Sequence, residues 1–135
     1  MLHATTVSVE GAGLLIRGPS GSGKSGLALQ LLGYGAELVA DDRTEVGRLG
    51  GRLIARCPET LTGLIEARGV GILRAVTAGP VDLRWVVDLE TVEKDRLPHP
   101  RECRILGVRL PLLAKVNADY FAAALLQLVK HGRHA

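Results

Sequence analysis

Eight consecutive residues, Gly18-Pro19-Ser20-Gly21-Ser22-Gly23-Lys24-Ser25, set glycines, a lysine and a hydroxyl at the spacing G-x-x-x-x-G-K-[ST]. The chemistry of that set is phosphate binding. Glycines let the backbone curl until successive N–H groups converge on phosphate oxygens. Lys24 then reaches the β/γ-phosphates, and the Ser25 hydroxyl is placed to ligate Mg²⁺. With this composition the pattern would arise by chance with a probability of roughly half a percent. A glycine-rich turn that merely caps a helix would explain the glycines. It would not explain the apolar run Leu14-Leu15-Ile16 before the loop and the helical pattern Leu27-Ala28-Leu29-Gln30-Leu31-Leu32 after it.

Two acidic signals follow. Asp41-Asp42 closes the short apolar run Ala36-Glu37-Leu38-Val39-Ala40. If that run is a parallel strand beside the one feeding the loop, its carboxyl end lies at the sheet edge where α/β proteins bind ligands, and both aspartates face the nucleotide. One carboxylate can then hold metal while the other accepts a proton from an attacking hydroxyl; the plainer alternative is a solvated Asp-Asp turn. In Glu66-Ala67-Arg68-Gly69, period-2 alternation puts Glu66 and Arg68 on one strand face ahead of Gly69 and Gly71, which is also what a surface ion pair looks like. His3 and Arg96 have no role of their own at this level: one is an N-terminal histidine, the other a solvated arginine in a charged loop.

Elements able to position these groups can be read in order. Thr5 to Val9 and Leu14 to Ile16 predict a hairpin that feeds the loop. A helix is predicted from Lys24 to Leu32, ended by Gly33-Tyr34-Gly35. Thr44 to Ala55 predicts a second hairpin with its turn over Gly47-Arg48-Leu49-Gly50-Gly51, and Val81 to Leu89 a strand. Glu90 to Arg104, broken by Pro98 and Pro100, predicts a mobile loop. Ile105 to Leu113 predicts a strand pair, and Ala118 to Lys130 an amphipathic closing helix. The expected fold is α/β, a P-loop type with a mixed sheet and few helices, in one domain over residues 1–135.

Composition narrows the function classes. Aromatic residues make up 3% of the chain, too few for base-stacking platforms, and the 17 Lys and Arg are interspersed with 14 Asp and Glu without a basic run. No nucleic-acid partner is therefore expected. No apolar stretch reaches the roughly 18 residues of a membrane span, so no membrane partner is expected either. Cys57 and Cys103 have no disulfide or metal-ligand spacing, which with no signal peptide in view fits a reduced, cytoplasmic protein.

Taken in one order, four blocks resemble the catalytic domain of HPr kinase/phosphorylase: His3 fifteen residues before the loop, Gly18 to Ser25, Val39-Ala40-Asp41-Asp42-Arg43, and Leu64-Ile65-Glu66-Ala67-Arg68-Gly69-Val70-Gly71-Ile72. The likeness runs from His3 to about Leu113. It implies an ATP- and Mg²⁺-dependent kinase of the short form that phosphorylates a serine of an HPr-type phosphocarrier protein, and a homo-oligomer, hexameric in the family's long form. By position, it implies ATP and metal contacts from the loop with Lys24, Ser25 and Glu66, a general base in Asp41, an active-site histidine in His3, and a catalytic-loop arginine in Arg96. The same likeness implies nucleotide contacts from Arg68 and Gly69 and a metal contact from Asp42. Departures are Ala4 and Gly26, where the family usually has glycine and glutamate. After Leu110-Pro111 an Arg- and Gly-rich segment tied to dephosphorylation is also missing, so kinase rather than phosphorylase activity is what the likeness implies. A small-molecule P-loop kinase and a nucleotide-binding regulatory module remain as rivals.

Overall fold

Leu14, Leu15 and Ile16 are adjacent in sequence and all fully buried, which a strand achieves only with a layer on each of its faces. The computed structural model, which describes residues 1–135, shows both layers. Strands β1 (Ala4–Val9) and β2 (Ala12–Arg17) form the expected antiparallel hairpin, with Thr5 opposite Ile16. β2 runs parallel to β8 (Val81–Val92), which runs parallel to β10 (Val108–Lys115). With β3 (Glu37–Ala40) and β9 (Glu102–Ile105) at the ends, the sheet path is β3-β1-β2-β8-β10-β9. A hairpin of β4 (Glu45–Leu49) and β5 (Arg52–Arg56) joins it through β5 and β8, and β6 (Leu64–Ala67) pairs with β7 (Gly71–Arg74) as a separate two-stranded sheet. The fold is the expected α/β type, a mixed sheet with two helices.

Helices α1 (Lys24–Gly33) and α2 (Phe121–His131) cover one face. There Val7, Leu14, Ile16, Val87 and Leu89 pack with Leu27, Ala28, Leu31 and Leu125. On the other face Leu15, Leu83 and Val86 pack with Leu53, Ala55, Ile105 and Leu110. Alternation along β2 thus sends Leu14 and Ile16 towards the helices and Leu15 away from them. At Gly13 a Cβ would lie 2.8 Å from the Asp82 carbonyl oxygen, so the glycine is what admits β8 this closely.

Three expectations need correction. β3 does not lie beside β2: β1 sits between them, antiparallel to both. Two reversals restore direction, so the carboxyl end of β3 still reaches the edge from which the glycine loop leaves β2. β8 continues three residues beyond Leu89, carried by its pairing with β10 as far as Val92 opposite Lys115. α2 starts at Phe121 rather than Ala118, because a turn closed by the Phe121 N–H on the Ala118 carbonyl (3.1 Å) precedes it. The outer edge of β3 is covered by residues 76–78, which exchange backbone hydrogen bonds with Leu38. No helix is long and apolar enough to cross a membrane.

Leu31, like Ala28, is a fully buried contact of α1 with the strands beneath it. Leu31→Ala is expected to lower stability by about 2–5 kcal/mol, seen as a lower urea midpoint.

Candidate active site

Residues 18–23 bridge β2 and α1 without regular structure, turned by the Ser22 N–H donating to the Pro19 carbonyl at 3.0 Å. Gly18 has φ +156°, and a Cβ there would sit 2.6 Å from the Ser22 Oγ, so the loop closes on itself only with glycine in place. Gly21 and Gly23 are left-handed at φ +81° and +100°. Lys24 is 6% exposed, and its Nζ donates to the Gly18 carbonyl (2.9 Å) and the Pro19 carbonyl (3.3 Å). It forms no ion pair with any carboxylate, so a buried ammonium is held by carbonyl dipoles alone. The first backbone hydrogen bond of α1 is Leu27 N–H to the Gly23 carbonyl, and no acidic side chain caps its first turn. Its leading N–H groups point at the same space as Lys24. The Ser22 Oγ is buried without a partner. A phosphate group supplies what each of these lacks.

Asp41 directly follows β3 and binds three other segments. Its Oδ1 accepts from the Ser25 Oγ at 2.6 Å and the Thr5 Oγ1 at 3.0 Å, and its Oδ2 accepts from the Glu66 N–H at 3.0 Å. Asp42 follows in the left-handed region at φ +66°, its N–H donating to the Thr5 Oγ1 at 3.1 Å. The Asp42 Oδ1 lies 2.6 Å from the His3 Nε2, and both side chains are about half exposed, at 57% and 52%. His3 therefore reaches the second aspartate, not the first.

The loop Gly18 to Ser25, with Pro19, Ser20, Gly21, Ser22, Gly23 and Lys24, is thus brought together with His3, Asp41 and Asp42. Glu66 joins them through its backbone N–H, while its side chain lies on the exposed face of β6 opposite buried Ile65 and Ala67. Arg68 does not share that strand face as expected: β6 ends at Ala67, and Arg68 is exposed in the turn that leads to β7. Gly69, at φ +89°, turns the chain from β6 into β7. Arg96 is exposed and forms no hydrogen bond or ion pair. Its loop is pinned at the base, where the Glu93 Oε2 accepts from the N–H groups of Lys94 and Asp95 and from Arg101 at 3.2 Å. No three His, Cys, Asp or Glu cluster as a metal cage. A magnesium ion here fits Ser25 and Asp41 together with phosphate oxygens, the way that ion is usually held at phosphoryl-transfer sites.

Thr5, which the strand pattern of Thr5 to Val9 does not single out, is fully buried and joins both aspartates. The available signal was its place two residues after His3, on the same side of an extended chain.

A family model described as the HPr Serine kinase C-terminal domain matches residues 1–112. The chain belongs to the HPr serine kinase family. A relative from Aromatoleum aromaticum, named HPr kinase/phosphorylase, is 41% identical over 93% of this chain and 45% of its own length. Another of that name, from Clostridium beijerinckii, is 45% identical over 56% of this chain and 25% of its own length. The chain spans less than half the length of these HPr kinase relatives. Among solved structures, the Hpr(Ser) kinase/phosphatase from Coxiella burnetii matches with a TM-score of 0.80 at 24% identity, covering 96% of this chain and 93% of that one. That likeness concerns the fold.

Away from this cluster, burial pushes the thiols of Cys57 and Cys103 above the ordinary cysteine range, partly offset at Cys57 by a hydrogen bond with Thr62 and at Cys103 by the Arg17 charge and hydrogen bond. A raised thiol pKa favours the neutral form in the folded state, so this contribution to stability is present at neutral pH and is lost as pH rises through the folded value. Iodoacetamide, which reacts with thiolate, is expected to modify both residues more slowly than an unfolded control at pH 8.5, with the rate climbing at higher pH. At the acidic pole, Thr5→Val keeps the shape but removes a donor to Asp41 and an acceptor for the Asp42 N–H. It is expected to cost roughly 1–3 kcal/mol by urea denaturation.

Proposed function

We propose that the chain transfers the γ-phosphoryl group of ATP, with Mg²⁺, to a serine hydroxyl of an HPr-type phosphocarrier protein. The observation that carries this reading is the pairing of two poles. A buried Lys24 without a carboxylate is followed at once by Ser25, which binds Asp41, and the next residue, Asp42, forms an exposed pair with His3 that opens to solvent.

ATP supplies the phosphoryl group when bound, and Mg²⁺ neutralises charge on its phosphates. Lys24, the leading N–H groups of α1 and the glycine-loop backbone hold the phosphates for in-line displacement. Asp41, with both oxygens engaged by three donors including Ser25, is supported as the carboxylate on the metal side. Asp42 has an oxygen free of hydrogen bonds and a position open to a protein acceptor. That supports it as the base: its carboxylate takes the serine proton as the serine Oγ–phosphorus bond forms and the bond to the β-phosphate oxygen breaks, releasing ADP. His3 holds the other Asp42 oxygen and fixes the orientation of the carboxylate. This division exchanges the roles that the family resemblance implied for Asp41 and Asp42. Arg96, exposed on a loop pinned at its base, is proposed to close over the transferring group once the acceptor is present. Glu66, on the exposed face of β6, and Arg68, in the turn that follows it, are proposed to flank the same opening.

The test uses labelled ATP, Mg²⁺ and an HPr-type protein, with acid-stable serine phosphate as readout. Asp42→Asn is expected to cut transfer by about 10²–10⁴-fold with ATP affinity retained. Asp41→Asn is expected to raise the Mg²⁺ concentration needed for half-maximal transfer. Wild-type chain that transfers no phosphate to any HPr-type protein overturns the reading; full transfer by Asp42→Asn overturns the assignment of the base.

A further inference from the structure

Three parallel strands, β2, β8 and β10, end at one edge of the sheet. The glycine loop follows β2, and residues 116–120 follow β10 at that same edge. Between them lies a cavity of about 470 Å³, within the range of small-molecule sites. One wall is the face of α1 made by Gly23, Gly26, Leu27 and Gln30, residues spaced to lie in line on a helix. Leu89 and Phe121 add apolar surface, and Asn117 and Asp119 line the cavity from the loop after β10. Ser22, whose hydroxyl is buried without a partner, lies at the end shared with the glycine loop.

Phosphates gripped by Lys24 and the start of α1 leave a fixed exit for whatever is attached to them. The group bonded to the last phosphate must pass alongside the first turn of α1, and the open side of that turn is this cavity. A Cβ added at Gly26 would meet nothing within 4 Å, so the passage is clear. A flat heterocycle matches the lining: apolar contact from Leu27, Leu89 and Phe121, with hydrogen-bonding tips at the exposed end. An asparagine amide offers a donor and an acceptor side by side, the complement of a purine edge. Asp119 adds an acceptor for an exocyclic amine.

We propose that this cavity is the nucleoside site of the phosphoryl donor, taking a purine whose edge is read by Asn117 and Asp119. It rests on the nucleoside-triphosphate reading above and adds where, and by which residues, the base is recognised.

The test compares ATP with inorganic tripolyphosphate, which carries the phosphates and no nucleoside, by calorimetry with Mg²⁺. Wild-type chain is expected to bind ATP at least about tenfold more tightly than tripolyphosphate. The double variant Asn117→Ala/Asp119→Ala is expected to lose most of that advantage while its tripolyphosphate affinity stays unchanged. Both residues are exposed, and the urea midpoint of the variant reports whether the fold survives. In wild-type chain, the Asn117 side-chain amide and Phe121 ring signals should shift in NMR spectra with ATP and stay in place with tripolyphosphate. Equal affinity for the two ligands, or a double variant that binds ATP like wild type, overturns the nucleoside site and leaves phosphate binding standing. Binding of neither ligand overturns both readings.

Discussion

The carboxylate of Asp41 is the constraint on which the site depends. Its three hydrogen bonds reach β1 through Thr5, α1 through Ser25 and β6 through Glu66, while the residue itself directly follows β3. Four segments far apart in sequence are thereby fixed at one sheet edge. The small β6–β7 sheet stands apart from the main sheet, and the Glu66 N–H bond is one of the polar ties that position it. Charge-assisted bonds of this kind are short and directional, so they set distances between segments that apolar packing alone would leave looser.

Charge is laid out along the same edge. Lys24 is buried among carbonyls, while Asp41 and Asp42 directly follow β3 and His3 directly precedes β1. Were Asp41 to pair directly with Lys24, the cation would be neutralised from within and the loop would have less to offer an anion. The Ser25 hydroxyl stands between the two in sequence and takes the aspartate instead, so the separation of charge comes from a single side chain of one helical turn.

Much of this was legible in the chain itself. The glycine loop, its flanking strand and helix, and the Asp-Asp step after a short strand all follow local rules, because hydrophobic period and glycine placement act over few residues. What stayed hidden depends on contacts between distant segments. That β1 lies between β2 and β3 cannot be read from either strand alone. Which aspartate meets Ser25 and which meets His3 depends on Asp42 adopting a left-handed backbone, a tertiary outcome that the dipeptide does not announce. Thr5 was opaque for the same reason, since a threonine in a β-branched run looks like any strand residue until the strand opposite is in place. Arg96 sits in a loop whose sequence shows its charge and not its destination.

The backbone of Asp42 also constrains how position 42 can change over evolutionary time. Its φ of +66° is a basin that glycine, asparagine and aspartate occupy at little cost and that other side chains enter under strain. A drift to glutamate, which keeps the charge, meets a conformational barrier, whereas a drift to asparagine keeps the conformation and discards the charge. The acid at this position is thus held by backbone geometry as well as by chemistry, and the neighbours one mutational step away that fold most easily are the ones that lack its carboxylate.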